Sequence, residues 1–245
     1  MLAIIGGSGL SQLGNLEVKQ RKVSRTPYGE PSGALTFGRI ADCDVVFLAR
    51  HGYGHTIAPH EVNYRANLWA LKDAGAIEVV SVVSVGGIRN NTWPGSLHLP
   101  NQIIDYTSGR AATFFEGAGV AVNHIDFTEP YSRPLREKLL KAAARCGENL
   151  SDGGVYAATQ GPRLESAAEV NRLERDGSDL VGMTGMPEAS LAREISLEYA
   201  AIAVVANYAA GRGDSAHAIP LDKIGAVLEE AMGRVRKIIG ALCEK

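Results

Sequence analysis

Short apolar, β-rich runs that close on or near glycine recur along this chain, with stretches of helical period between them. The runs are Leu2 to Ile5, Val45 to Ala49, Val79 to Val85, Val155 to Thr159, Leu180 to Gly182 and Tyr199 to Ala206. Strands that read as continuously apolar are those covered on both faces. Helices are predicted over Glu61 to Ala74, Pro134 to Arg145, Ser166 to Arg175, Pro187 to Glu194 and Leu221 to Leu242. This alternation predicts an α/β fold with a largely parallel, helix-covered sheet. In the last helix Ile224, Leu228, Ala231, Met232, Val235, Ile238, Ile239 and Leu242 fall at intervals of three and four, a stripe suited to packing on that sheet.

The 245 residues show no composition shift or internal repeat, so a single domain over 1–245 is expected. Lysine plus arginine total 25 against 27 acidic residues, a balance that argues against nucleic acid or an anionic membrane as partner and leaves any anion to be bound locally. The apolar start, Met1 to Ile5, is too short for a signal h-region and lacks a basic flank, so a cytoplasmic protein is expected. Cys43, Cys146 and Cys243 stand far apart with no metal-ligand spacing beside them and read as ordinary thiols; no metal site is expected.

Three strand ends carry groups suited to an anion. Gly6-Gly7-Ser8-Gly9 offers backbone N–H groups and a hydroxyl, although it fits neither a dinucleotide fingerprint nor a P-loop and also reads as a plain tight turn. Arg50-His51-Gly52 follows an apolar strand directly, and an arginine can fork two phosphate oxygens. Val82 to Gly87 sets one hydroxyl, Ser84, in an apolar run, where a structural role is the alternative. Parallel strands would bring all three to one edge, which favours a phosphate pocket.

Gly161-Pro162-Arg163-Leu164-Glu165-Ser166, followed by Met183-Thr184-Gly185-Met186-Pro187-Glu188, resembles the trimeric purine nucleoside and methylthioadenosine phosphorylases. The resemblance extends over Gly6 to Gly9, Arg50 to Gly52, His55 to Asn67, Gly86-Gly87 and the stretch ending at Asn207, nearly the whole chain. It implies a mixed sheet forming a distorted barrel flanked by helices, a homotrimer with the site near subunit boundaries, and phosphorolysis of a purine nucleoside. Inorganic phosphate would be co-substrate, with no cofactor. By position, the implied phosphate ligands are Ser8, Arg50, His51, Ser84 and Thr184. Met183 falls at the ribose, and Leu164 stands where an aromatic covers the purine. Val83 departs from the asparagine of ordinary purine nucleoside phosphorylases.

The resemblance also implies the choice of base and sugar. Asn207 occupies the base-facing position where adenosine-type members carry aspartate, with Tyr208 and Ala209 beside it; Glu165 replaces their serine. A carboxamide that donates to N7 or O6 and a carboxylate that accepts from N1–H select a 6-oxopurine. On the residues alone, Asn207 also reads as a strand-end cap and Glu165 as a helix cap. Leu221 falls where methylthio enzymes place an apolar residue at the 5' end, although a one-residue slip would bring His217 or Asp222 there. His124 matches a histidine that reaches the 5' end from a neighbouring subunit, a lone surface histidine being the other reading. Asn207, Arg50 and His51 are the expected catalytic groups. The expected substrate is a 5'-methylthio nucleoside of hypoxanthine; an inosine/guanosine enzyme and a methylthioadenosine enzyme are the alternatives.

Overall fold

The computed structural model describes residues 1–10 and 13–244. The strands are β1 (Leu2–Gly6), β2 (Glu17–Lys22), β3 (Leu35–Ile40), β4 (Cys43–Ala49), β5 (Glu78–Gly87), β6 (Leu97–Leu99), β7 (Gln102–Asp105), β8 (Ser151–Asp152), β9 (Val155–Ala158), β10 (Leu180–Gly182) and β11 (Glu198–Tyr208). The helices are α1 (Tyr64–Asp73), α2 (Arg133–Arg145), α3 (Ala167–Arg175), α4 (Gly185–Glu194) and α5 (Leu221–Cys243). Each predicted helix and strand is present, with ends moved by a few residues. All the strands join one sheet flanked by helices.

The sheet is mixed, as the resemblance implied, and not the largely parallel one expected from the alternation. β1, β4, β5 and β11 run parallel, but β10 meets the end of β5 antiparallel, and β2 and β3 add an antiparallel edge. The ten-residue β5 is the junction. Its first half pairs with β1, its end pairs with β10, and β11 accompanies it throughout. The strand order therefore forks here.

Side-chain alternation splits the core in two. Along β11, Ala200, Ile202, Val204 and Ala206 join the cluster under α2 and α5, while Tyr199, Ala201, Ala203 and Val205 join the cluster under α1 and α4. Burial on both faces is why these strands read as unbroken apolar runs. The predicted stripe of α5 packs as expected, with Leu228, Met232, Val235, Ile238 and Ile239 all buried.

Local chemistry sets where helices begin. The Asn63 side chain accepts from the Ala66 N–H ahead of α1, and Ser132 accepts from Leu135 ahead of α2, so α1 starts at Tyr64 and not at the predicted Glu61. Ser166 and Glu169 form a capping box at α3. That box makes Ser166 the cap and leaves Glu165 outside it. Regular α4 begins at Pro187, because Met186 is extended (φ −120°, ψ 140°).

Candidate active site

Because β1, β4, β5 and β11 are parallel, their carboxyl ends reach one edge and deliver Gly7-Ser8, Arg50-His51, Ser84 and Asn207 to it. β10 enters from the opposite direction. Its pairing of Val181 with Gly86 sends Met183 and Thr184 back along the end of β5. The result is a cavity of about 480 Å³, within the range that encloses a small-molecule ligand. Ser8, Arg50, His51, Ser84, Leu164, Glu165, Met183, Thr184, Asn207 and Ala209 all line it. A larger open cleft, about 850 Å³, lies at the end of α5 among Arg145, Arg236 and Lys237, and none of these ten residues lines it. Size alone does not mark the site.

Arg50 does not present the free fork expected from its sequence context. It is fully buried, and Nε and Nη2 donate to the two carboxylate oxygens of Glu188 at 2.7 and 2.9 Å. Nη2 also reaches Ser81 Oγ at 2.6 Å and Nη1 reaches the Val82 carbonyl at 3.2 Å. Ser81 and Tyr199 donate to the same Glu188 carboxylate. Burial pulls the Arg50 pKa down, but Glu188 overrides it and holds the guanidinium protonated. Burial likewise pushes the Glu188 carboxyl up, and Arg50 with its two hydroxyl donors outweighs that and lowers it. The bidentate geometry is thus used inside the protein. Only the Nη1 edge is left for an anion, alongside Gly7, where an added Cβ would stand 2.9 Å from Nη1 and 2.6 Å from the Val82 oxygen. Only glycine fits this close against the buried guanidinium.

His51 is nearly buried, and its Nδ1 lies 2.8 Å from the Ile57 carbonyl. A carbonyl only accepts, so Nδ1 carries the proton and Nε2 is the bare nitrogen of a neutral ring. Burial, with Arg50 and His55 adding to it against the Ile57 hydrogen bond, brings the His51 pKa down to about 4. Ser8 and Ser84 are half-buried hydroxyls on this floor and Thr184 a buried one. His55 lies 3.4 Å from Ser8 Oγ.

On the opposite wall Glu165 is held by Thr159, whose hydroxyl donates to Oε1 at 2.6 Å. Oε2 remains to accept from a ligand. Asn207 donates one N–H to the Tyr208 carbonyl at 2.7 Å, leaving its second N–H and Oδ1. The β5–β11 register shifts between Val205 and Asn207, a bulge that bends the strand and re-aims the side chain that follows. Gly161, at φ +62°, turns the chain beside Met183, where an added Cβ would come within 2.4 Å of the sulfur.

Three expected residues lie elsewhere. Leu221 is 65% exposed at the start of α5 and is outside the cavity; Ile219, Ile224 and Leu228 supply the apolar wall instead. Neither His217 nor Asp222 lines it. The cause is the turn of α5: the inward-facing positions lie one helical turn and two turns beyond Leu221. Tyr208 packs its ring on Gly213 and contributes only its carbonyl to Asn207. His124 is exposed in the coil before α2, outside this chain's own cavity. The sequence reading missed Glu188, Ser81 and Tyr199 under Arg50, the His55 to Pro59 loop, and Thr159. Of these, Glu188 and the His55 to Pro59 loop lie inside stretches that carried the resemblance, without a role attached to them; Ser81, Tyr199 and Thr159 left no such signal.

The profile of the phosphorylase superfamily matches residues 1–244. A protein of Pseudomonas syringae pv. tomato named probable S-methyl-5'-thioinosine phosphorylase is 53% identical over 234 residues, covering 96% of this chain and 94% of its own. The 6-oxopurine nucleoside phosphorylase of Pyrococcus furiosus is 44% identical, over 86% of this chain and 80% of that one. Among solved structures, the methylthioadenosine phosphorylase of Schistosoma mansoni in complex with adenine superposes with a TM-score of 0.94 at 32% identity, covering 99% of this chain and 90% of that one.

Proposed function

From the premise that this chain belongs to the phosphorylase superfamily, we propose that it cleaves S-methyl-5'-thioinosine with inorganic phosphate to give hypoxanthine and 5-methylthioribose 1-phosphate. The observation that carries this reading is one cavity with three chemically distinct walls. Hydroxyls and the Arg50 edge form one, Glu165 with Asn207 the second, and Ile219, Ile224 and Leu228 the third.

Each wall has a task in the reaction. Phosphate sits among Ser8, Arg50 Nη1, Ser84 and Thr184, with its remaining O–H donated to the bare nitrogen of His51, and attacks C1' as the glycosidic bond breaks through an oxocarbenium-like transition state. Positive charge on the sugar meets the phosphate anion. Negative charge on the leaving purine meets the free N–H of Asn207 at N7, a preorganised donor aimed at developing charge. Glu165 Oε2 accepts from N1–H of the 6-oxopurine. Adenine offers a lone pair at N1, and facing it with a carboxylate costs about 1–3 kcal/mol or more. The apolar wall takes the methylthio group at about 0.8 kcal/mol per methylene equivalent, where an unpartnered 5'-hydroxyl would be penalised. The chemistry calls for no metal or organic cofactor. As in the resemblance, the working form is a cytoplasmic homotrimer in which His124 serves a neighbouring subunit's 5' end.

The test is kcat/KM for methylthioinosine, inosine and methylthioadenosine, with and without phosphate. Methylthioinosine should lead, with turnover dependent on phosphate. A lead by inosine or methylthioadenosine would replace the substrate assignment, and phosphate-independent turnover would replace phosphorolysis by hydrolysis. Glu165→Ser combined with Asn207→Asp should move preference toward 6-aminopurines.

A further inference from the structure

Arg110 stands in the coil between β7 and α2, half-buried, outside every motif that the proposed function uses. Among the described residues no carboxylate lies within ion-pair distance of it. Its guanidinium is instead surrounded by main-chain carbonyls. Nη1 donates to Met183 O at 2.8 Å and Met186 O at 2.6 Å, and Nη2 to Gln160 O at 2.9 Å and Thr159 O at 3.3 Å. Nε reaches the Gln160 side-chain oxygen at 3.3 Å, and the guanidinium lies over the Tyr64 ring. A planar, five-donor cation suits such a set; an ammonium, with donors on one atom, does not.

These carbonyls belong to two segments that the sheet no longer joins. The β9–β10 ladder ends at Ala158 and Gly182, with one further bond from Thr159 N–H to Gly182 O. Beyond it, one segment turns through Gly161 to Leu164 and Glu165, and the other runs through Met183 and Thr184 into α4. No backbone hydrogen bond joins the two past that point among the described residues. Arg110 bridges them where the ladder stops. The same Thr159 whose carbonyl it holds donates its hydroxyl to Glu165.

We propose that Arg110 is a positioning residue that fixes the wall carrying Glu165 against the wall carrying Met183 and Thr184, and so sets the spacing between base and sugar–phosphate. The inference rests on the reading of those walls given above. Misplacing reacting groups by about 1 Å costs on the order of 10²-fold in rate, so the role is visible in turnover more than in folding.

The experiment compares wild type, Arg110→Ala and Arg110→Lys on methylthioinosine, inosine and methylthioadenosine, with melting curves and addition of guanidinium ion below denaturing concentration. Expected for Arg110→Ala is a kcat lower by about 10²-fold, a narrowed preference among the three nucleosides, and partial recovery with guanidinium. Arg110→Lys should keep the fold and still lose about tenfold or more in kcat, because it cannot reach both segments. Either variant turning over within about threefold of wild type would overturn the proposal. So would a loss that follows the folded fraction alone, without guanidinium recovery or a change in preference. If wild type prefers another of the three nucleosides, the substrate assignment fails by itself, and the Arg110 comparison is scored on that nucleoside.

Discussion

The floor of the cavity and its apolar wall are built by different means. The floor rests on four parallel strand ends and a buried ionic network, so Arg50, His51 and their neighbours are set by backbone register before any ligand arrives. The apolar wall comes from the loop after β11 and the first two turns of α5, where Ile219 and Ile224 are only half-buried. The floor is therefore a matter of pairing and charge, the wall a matter of surface area. Substitutions should be severe and chemically specific on the floor, and mild and graded with size on the wall.

The strongest way to break this contrast is Glu188→Ala. It strands the Arg50 charge in a fully buried site, and losing one partner of a buried pair costs about 3–5 kcal/mol. Urea unfolding measures it, and a loss below about 1 kcal/mol would show that the network does not frame the floor. Next comes Asn207→Ala, which should lower kcat by about 10²–10³-fold with little change in stability. An unchanged kcat would remove Asn207 from the reaction.

A smaller effect lies in pH. The His51 ring titrates at about 4 in the folded chain against an ordinary value of 6.5, so between those values the unfolded chain binds the proton that the folded one excludes. Folding stability should decline as pH falls from 6.5 toward 4, with no His51 contribution above that window. His51→Phe should flatten that part of the stability profile, and an unaltered slope would contradict a neutral buried ring. The mildest effects belong to the wall. Ile224→Ala should raise KM for the methylthio nucleoside a fewfold, in proportion to about 25 cal/mol per Å² of apolar surface lost. Leu221→Ala should leave it unchanged, and the reverse order would return Leu221 to the site.

What the sequence disclosed follows the same division. Strands buried on both faces announce themselves as apolar runs, and a polar residue just past such a run has one edge to occupy. Ser8 and Arg50 were legible for that reason, Ser84 as the one hydroxyl inside such a run, and Asn207 only through the resemblance. The Arg50 partner was not, because Glu188 is 138 positions away and nothing local distinguishes a fork aimed at a ligand from one closed on a carboxylate. Leu221 was misplaced because the loop ahead of it hides which face of α5 turns inward. The strands β2 and β3 went unread as well. β2 is exposed at every residue and polar at most, and β3 carries Gly38 against the Glu17 backbone, so neither shows the apolar run of the interior.

The closed pairing of Arg50 with Glu188 bears on how the enzyme cycles. On the proposed function, with the guanidinium already balanced inside the fold, an arriving anion would exchange water for oriented dipoles and one N–H edge, and its departure would uncover no bare positive charge. Occupancy of this floor should consequently respond weakly to ionic strength, unlike a site that relies on an unmatched cation. One oxyanion can leave and the next enter without the scaffold having to rearrange around an empty seat.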